Sequence, residues 1–260
     1  MTNAVETLIR QRTAVPPATL ARGLVEHQDW YVPAAVARAA GVKGAPLEAM
    51  PQAGVLEGNM AIFTAKEHVR FFRIGGAGGY VGGVPGHQLF ASLDDRLGSI
   101  EINPLGPEDE RMGITREGFP ALRLWAHGIA FETRLRGTSQ EGAAEILHRY
   151  RVMREFGHYL VVKWTPPEGS SRPFRLEIPD LPGIKFVLAF SALDRLDACL
   201  AAIPEGERSQ LDASAAIGGE DLFRGLAQAD LGILLNFAAT DSVLSEMVVP
   251  RLWDAVLSAE

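Results

Sequence analysis

The spacing of apolar residues divides the chain into two runs with the same grammar. From Val5 to Arg12 the apolar positions have helical spacing, and Pro16-Pro17 ends the run. A second helical stretch follows, with Leu20, Leu24 and Val25 on one face. The pattern then changes, and Trp30-Tyr31-Val32-Pro33 predicts a short strand closed by proline. A helical turn is expected over 33–40, then loop. Met60-Ala61-Ile62-Phe63 has the look of a buried strand, and Thr64 with Glu67 has capping-box spacing for a helix after it. Gln88 to Leu93 predicts a helix, and Ile100 and Ile102 alternate into a strand that ends at Asn103-Pro104.

The second run repeats the order. Tyr159 to Val162 and Phe186 to Phe190 predict strands, and Ser191 with Asp194 repeats the capping spacing. Asp221 to Leu226 predicts a helix and Gly232 to Asn236 a closing strand. Val243 to Leu257 predicts a last amphipathic helix through Leu244, Met247, Leu252 and Val256, kinked or divided at Pro250. Phe119 to Arg136 lies between the runs as a connecting helix or strand.

Residues 86–103 can be laid on 219–236 without a gap. The pairs Gly86/Gly219, Leu89/Leu222, Phe90/Phe223, Leu93/Leu226, Ile100/Ile233 and Asn103/Asn236 are then identical. Upstream, Phe63-Thr64-Ala65 parallels Phe190-Ser191-Ala192. An internal duplication is the simplest source of such a match. The expected fold is α/β (α+β): two pseudo-repeated, small mixed-sheet modules with flanking helices. They are expected over 1–112 and 151–260, with a connecting helical segment over 113–150. Each Asn just past a strand end suits a turn by bonding its own backbone nearby.

Composition narrows the function classes. The 260 residues carry a formal charge of −7, which disfavours nucleic acid as a partner. No apolar stretch reaches the roughly 18 residues that cross a membrane, and the start Met1 to Arg12 lacks a secretory pattern. The expectation is a cytoplasmic protein. The single cysteine, Cys199, lies in a helical apolar context and reads as a buried small hydrophobe. The four tryptophans, Trp30, Trp125, Trp164 and Trp253, read as core residues.

The run Gly75 to Gly86 invites a phosphate-loop reading and fails it. No Gly-Lys-Ser/Thr follows, and Val81 stands where the third glycine of a dinucleotide fingerprint belongs. A flexible surface loop is the expectation. The histidines at 27, 68, 87, 127, 148 and 158 form no metal-ligand spacing, and no nucleophile elbow occurs. Hence no catalytic residue, metal or cofactor is assigned. Candidate ligand-binding residues are Gly78, Gly79, Gly86, His87 and Asn103, around a helix start that could offer free amides to an anion.

The order Leu8-Ile9-Arg10-Gln11, Pro16, Leu20-Ala21-Arg22, Leu24 and Trp30-Tyr31-Val32-Pro33 resembles the start of the SseB N-terminal domain, of the "enhanced serine sensitivity" proteins. Ile62-Phe63-Thr64, Leu89-Phe90 and Ile100-Glu101-Ile102-Asn103-Pro104 extend the likeness. The second copy is similar through Phe190-Ser191-Ala192, Leu222-Phe223 and Leu234-Leu235-Asn236, with Phe237 in place of the proline. The resemblance implies a bacterial cytoplasmic α/β protein and no established chemistry. The function expected is a non-catalytic interaction or regulatory module with a protein partner, and a homodimer stays open. The alternative is a small-molecule- or anion-binding protein or enzyme using the loop 75–86.

Overall fold

A computed structural model describes residues 3–39, 41, 45–46, 59–69, 79–137, 143–165, 169–213, 217–237 and 246–257. The chain is α/β and forms two compact units, Met1–Ile129 and Ala130–Glu260. The division falls within one long helix.

Unit 1 opens with α1 (Ala4–Arg10) and α2 (Pro17–Glu26). Asn3 caps α1, accepting from the Glu6 amide at 2.8 Å, while Glu6 accepts from the Asn3 amide at 3.3 Å. Then come β1 (Trp30–Pro33), α3 (Ala34–Ala39), β2 (Ala45–Pro46), β3 (Asn59–Ile62), α4 (Lys66–Val69) and β4 (Tyr80–Val84). The unit continues with α5 (Gly86–Ala91), β5 (Ser99–Ile102), β6 (Met112–Thr115) and the first part of α6 (Phe119–Arg136). Three strands pair in the order β1-β4-β2 and three in the order β3-β5-β6, and a bridge between Tyr31 and Phe63 joins the two sets. The β3–β5 pair is parallel and its flank β6 antiparallel.

Part of the glycine run is a strand rather than a loop. Tyr80 to Val84 forms β4, central between β1 and β2. Glycine is needed where the Tyr31 ring lies on the strand: a Cβ on Gly82 would fall 2.5 Å from that ring. Gly83, at φ 75°, supplies the irregularity where the β1–β4 register shifts.

Unit 2 contains the end of α6, then α7 (Ala143–Glu155), β7 (Leu160–Trp164), β8 (Arg172–Pro173), β9 (Arg175–Glu177) and β10 (Lys185–Phe190). After these follow α8 (Leu193–Ala202), α9 (Glu205–Arg208), β11 (Leu211–Ala213), α10 (Gly219–Gln228), β12 (Leu231–Leu235), β13 (Glu246–Val248) and α11 (Pro250–Leu257). The sheet order is β11-β7-β10-β12-β13, with β8 on β7 and β9 on β10. β10 and β12 are parallel, and β13 flanks β12 antiparallel. Its core gathers Phe131, Tyr150, Phe156, Tyr159, Val187, Phe223 and Ile233.

The last helix expected from 243 is instead strand β13 and then α11. Pro250 begins α11, where its missing N–H costs nothing, and so starts the helix instead of kinking it. Residues 243–245 lie outside the described residues. Among the described residues no helix is long and apolar enough to cross a membrane.

Candidate functional site

Strand ends place a buried polar cluster in unit 1. The parallel pair β3–β5 stops with Thr64 beside Asn103, both buried. Asn103 turns the chain at φ 49°, and its amide donates to the Ile62 carbonyl at 3.0 Å. Its side chain reaches across the sheet: Oδ1 accepts from the Thr64 amide at 3.0 Å, and Nδ2 donates to Thr64 Oγ1 at 2.9 Å. The Thr64 hydroxyl donates in turn to Glu6 Oε1 at 2.7 Å, and Asn3 Nδ2 donates to the Thr64 carbonyl at 3.0 Å. Thr64 therefore does not cap α4 with its hydroxyl. The role of Asn103 extends well beyond the local turn expected of it.

Unit 2 holds a matching cluster. Asn236 sits at φ 50°, and its amide donates to the Ala189 carbonyl at 2.9 Å. Its Oδ1 accepts from the Ser191 amide at 3.0 Å, and its Nδ2 donates to Ser191 Oγ at 3.1 Å. Ser191 Oγ reaches Glu132 Oε1 at 3.1 Å. The expected cap of α8 is absent for the same reason, since Ala192 is its N-cap and makes no side-chain bond.

The carboxylates are balanced differently. Arg195 Nε and Nη2 each lie 3.2 Å from Glu132, which is almost fully enclosed. In unit 1, His68 Nε2 stands 3.3 Å from both Glu6 and Glu110, and Arg10 pairs with Glu110. Those His68 distances are hydrogen-bond distances. Among the described residues no group of three histidines, cysteines or carboxylates is placed to hold a metal.

The glycines shared by the two runs have a packing role. A Cβ on Gly86 would fall 2.5 Å from the Val25 carbonyl, and one on Gly219 2.5 Å from the Arg154 carbonyl. Their amides donate to His27 O at 2.7 Å and Phe156 O at 2.6 Å. Each helix start is thus seated on the end of a preceding helix, which uses the first of the amides that an anion would need.

The remaining candidate residues do not converge. Gly78 lies outside the described residues. Gly79 is exposed, and its carbonyl accepts from the Ala34 amide at 2.8 Å. Gly79 and Gly86 stand at opposite ends of β4, and strand residues advance about 3.3 Å each. His87 is half-buried with Nδ1 unpartnered among the described residues, and burial lowers its pKa. Asn103 is enclosed, with both side-chain groups bonded. Cys199 is a buried free thiol whose pKa burial raises, which leaves it protonated.

An open cleft of about 420 Å³ lies in unit 2 between α7, β13 and α11. Ile146, Tyr150, Met153, Met247 and Trp253 line it, with Arg149 and Glu246 joined at 2.6 Å. Ile146 is 46% and Met247 51% exposed. The Tyr150 hydroxyl donates to Asp254 at 2.8 Å, and burial together with that carboxylate raises its pKa. Met247 was visible only as a helix-face residue in the sequence, because its exposure depends on the strand and the helix after it. Compared with known proteins, the chain matches no family, no curated protein and no solved structure.

Proposed function

We propose that the chain is a non-catalytic, cytoplasmic interaction protein of the SseB-like type, and that unit 2 takes a segment of a protein partner into its cleft. The observation that carries this reading is the pair Ile146 and Met247, large apolar side chains left about half exposed on either side of one cleft. Contiguous apolar surface with a polar rim marks interaction sites, and methionine adapts its shape to a partner. β13 ends the sheet order among the described residues, so its outer edge can pair with an extended partner backbone. The buried clusters support the non-catalytic side of the reading. Thr64, Asn103, Ser191 and Asn236 spend their polar groups on one another and on Glu6 and Glu132.

The recurring Asn, hydroxyl and Glu contacts support a duplicated module, and with it the SseB-like reading of the strand-end motifs. A photo-crosslinking amino acid placed at Met247 tests the function in living cells. A discrete protein adduct is expected there, and none from the same group at exposed Arg224 of the same unit. Loss of the adduct in an Ile146→Glu background would confirm the cleft. Identical adducts from both positions, or none at 247, would refute the reading.

A further inference from the structure

The excursion between β7 and β10 builds a second surface in unit 2, with a chemistry unlike that of the cleft. Residues 172–177 leave β7, pair back on its end as β8, and cross to pair with β10 as β9. That path encloses a groove of about 540 Å³, lined by Trp164, Arg172, Phe174, Arg175, Glu177 and Lys185. The cations are set by strand register. Trp164 faces Arg172, Val187 faces Arg175, and Lys185 faces Glu177.

The indole of Trp164 is fixed at its edge by a 2.8 Å bond from Nε1 to Gln210 Oε1, and the Arg172 guanidinium lies over its ring at 4.6 Å. Only Lys185 has a carboxylate partner in the groove, Glu177 at 3.2 Å. Arg172 and Arg175 are exposed, and the guanidinium of neither has an ion-pair or hydrogen-bond partner among the described residues. Elsewhere in the unit, Arg134, Arg149, Arg154, Arg195 and Arg251 all engage carboxylates. In a chain of net charge −7, two guanidiniums without carboxylate partners that line one groove with two aromatic rings form a local positive site.

The geometry points to this groove as a binding site for an acidic peptide segment in which carboxylates flank an aromatic or aliphatic side chain. The planar forks of Arg172 and Arg175 match carboxylates bidentately. Phe174, lining the groove with the Trp164 ring that carries Arg172, supplies the apolar floor for the intervening side chain. A peptide fits better than a nucleic acid strand. The groove is short, Glu177 interrupts its cations, and the overall charge repels a phosphate backbone at long range. The site shares no lining residue with the cleft, so either can fail without the other.

The test uses the full chain, nitrogen-15 labelled, titrated with the synthetic peptide Glu-Glu-Phe-Glu-Glu. The indole resonance of Trp164, identified by its loss in Trp164→Phe, should shift saturably while those of buried Trp30 and Trp125 stay in place. The double variant R172A/R175A should weaken binding at least about tenfold, as expected for losing charged hydrogen bonds. R175K should fall between, and Met247→Asp should leave binding unchanged. Unmoved core amide resonances verify that each variant is folded. No saturable shift, an affinity unaffected by R172A/R175A, or tighter binding of an oligouridylate of equal charge would overturn the assignment.

Discussion

The two units solve one structural problem with different charges. In both, a parallel strand pair ends at an Asn with positive φ, and that Asn ties the opposite strand end through a hydroxyl to a buried Glu. Unit 2 neutralises its Glu132 with the fork of Arg195, a cation at any physiological pH. Unit 1 places His68 between Glu6 and Glu110 and leaves Arg10 to balance the second carboxylate. The comparison teaches that the hydrogen-bonded frame is set by backbone geometry, whereas the countercharge can be supplied from several positions. Only the frame is therefore expected to be intolerant in both units.

The largest effect should come from the Asn at the strand end. Asn236→Ala strips two buried partners and leaves at positive φ a residue without the polar side chain that lets Asn tolerate it, for a cost of about 3–5 kcal/mol to unit 2. Asn236→Gly keeps the backbone conformation and should cost about 1 kcal/mol less. Asn103→Ala and Asn103→Gly should show the same ordering in unit 1. Hydrogen exchange resolved by peptide would assign each loss to its unit.

Next comes the countercharge. Arg195→Ala takes the fork off enclosed Glu132, leaving the Ser191 hydroxyl at 3.1 Å and Arg136 at 3.9 Å, and should cost about 3 kcal/mol. His68→Ala should cost less, because Arg10 stays on Glu110 and Asn3 and Thr64 stay on Glu6. Equal losses in denaturant titrations would erase the distinction between the units. Gly86→Ala and Gly219→Ala should each cost about 1–3 kcal/mol through overpacking against carbonyl oxygens, and by similar amounts.

The smallest effect is on pH dependence. Burial lowers the pKa of His27 and His87 in unit 1, against an opposing charge from Asp29 at His27, and of His158 in unit 2. A histidine with a depressed folded pKa takes up its proton first in the unfolded chain. Its contribution is therefore full above about pH 6.5 and is lost as pH falls. Amide protection in unit 1 should drop on acidification from neutral, and the double variant His27→Asn, His87→Asn should flatten that slope. An unchanged slope would place the acid response in other groups.

Much of the frame was legible in the sequence. The identities Gly86/Gly219 and Asn103/Asn236 sit where the backbone demands close approach and positive φ, and such demands leave a residue type at a fixed offset. The strands around Phe63 and Phe190 followed from short apolar runs. The partners of Thr64 and Ser191 were hidden, because Glu6 and Glu132 lie 58 and 59 residues away and local capping spacing offered a nearer explanation. Strand β4 carries a loop-like glycine pattern because Gly82 answers to the Tyr31 ring, a contact that spacing along the chain does not reveal. The cleft was illegible for a related reason: Met247 is exposed only because the chain changes from strand to helix at Pro250.

The central claim is a division of labour, with buried clusters that hold each unit and a surface cleft that binds. One measurement compares Ser191→Ala and Met247→Asp with the unaltered protein, reading melting temperature and yield of the crosslinked partner adduct per folded molecule. For the adduct, the crosslinking group sits at Ile146 in all three. Ser191→Ala should lower the melting temperature and leave the yield intact, while Met247→Asp should leave the melting temperature intact and abolish the adduct. A Met247→Asp protein that still captures its partner, or a folded Ser191→Ala protein that does not, would contradict the account.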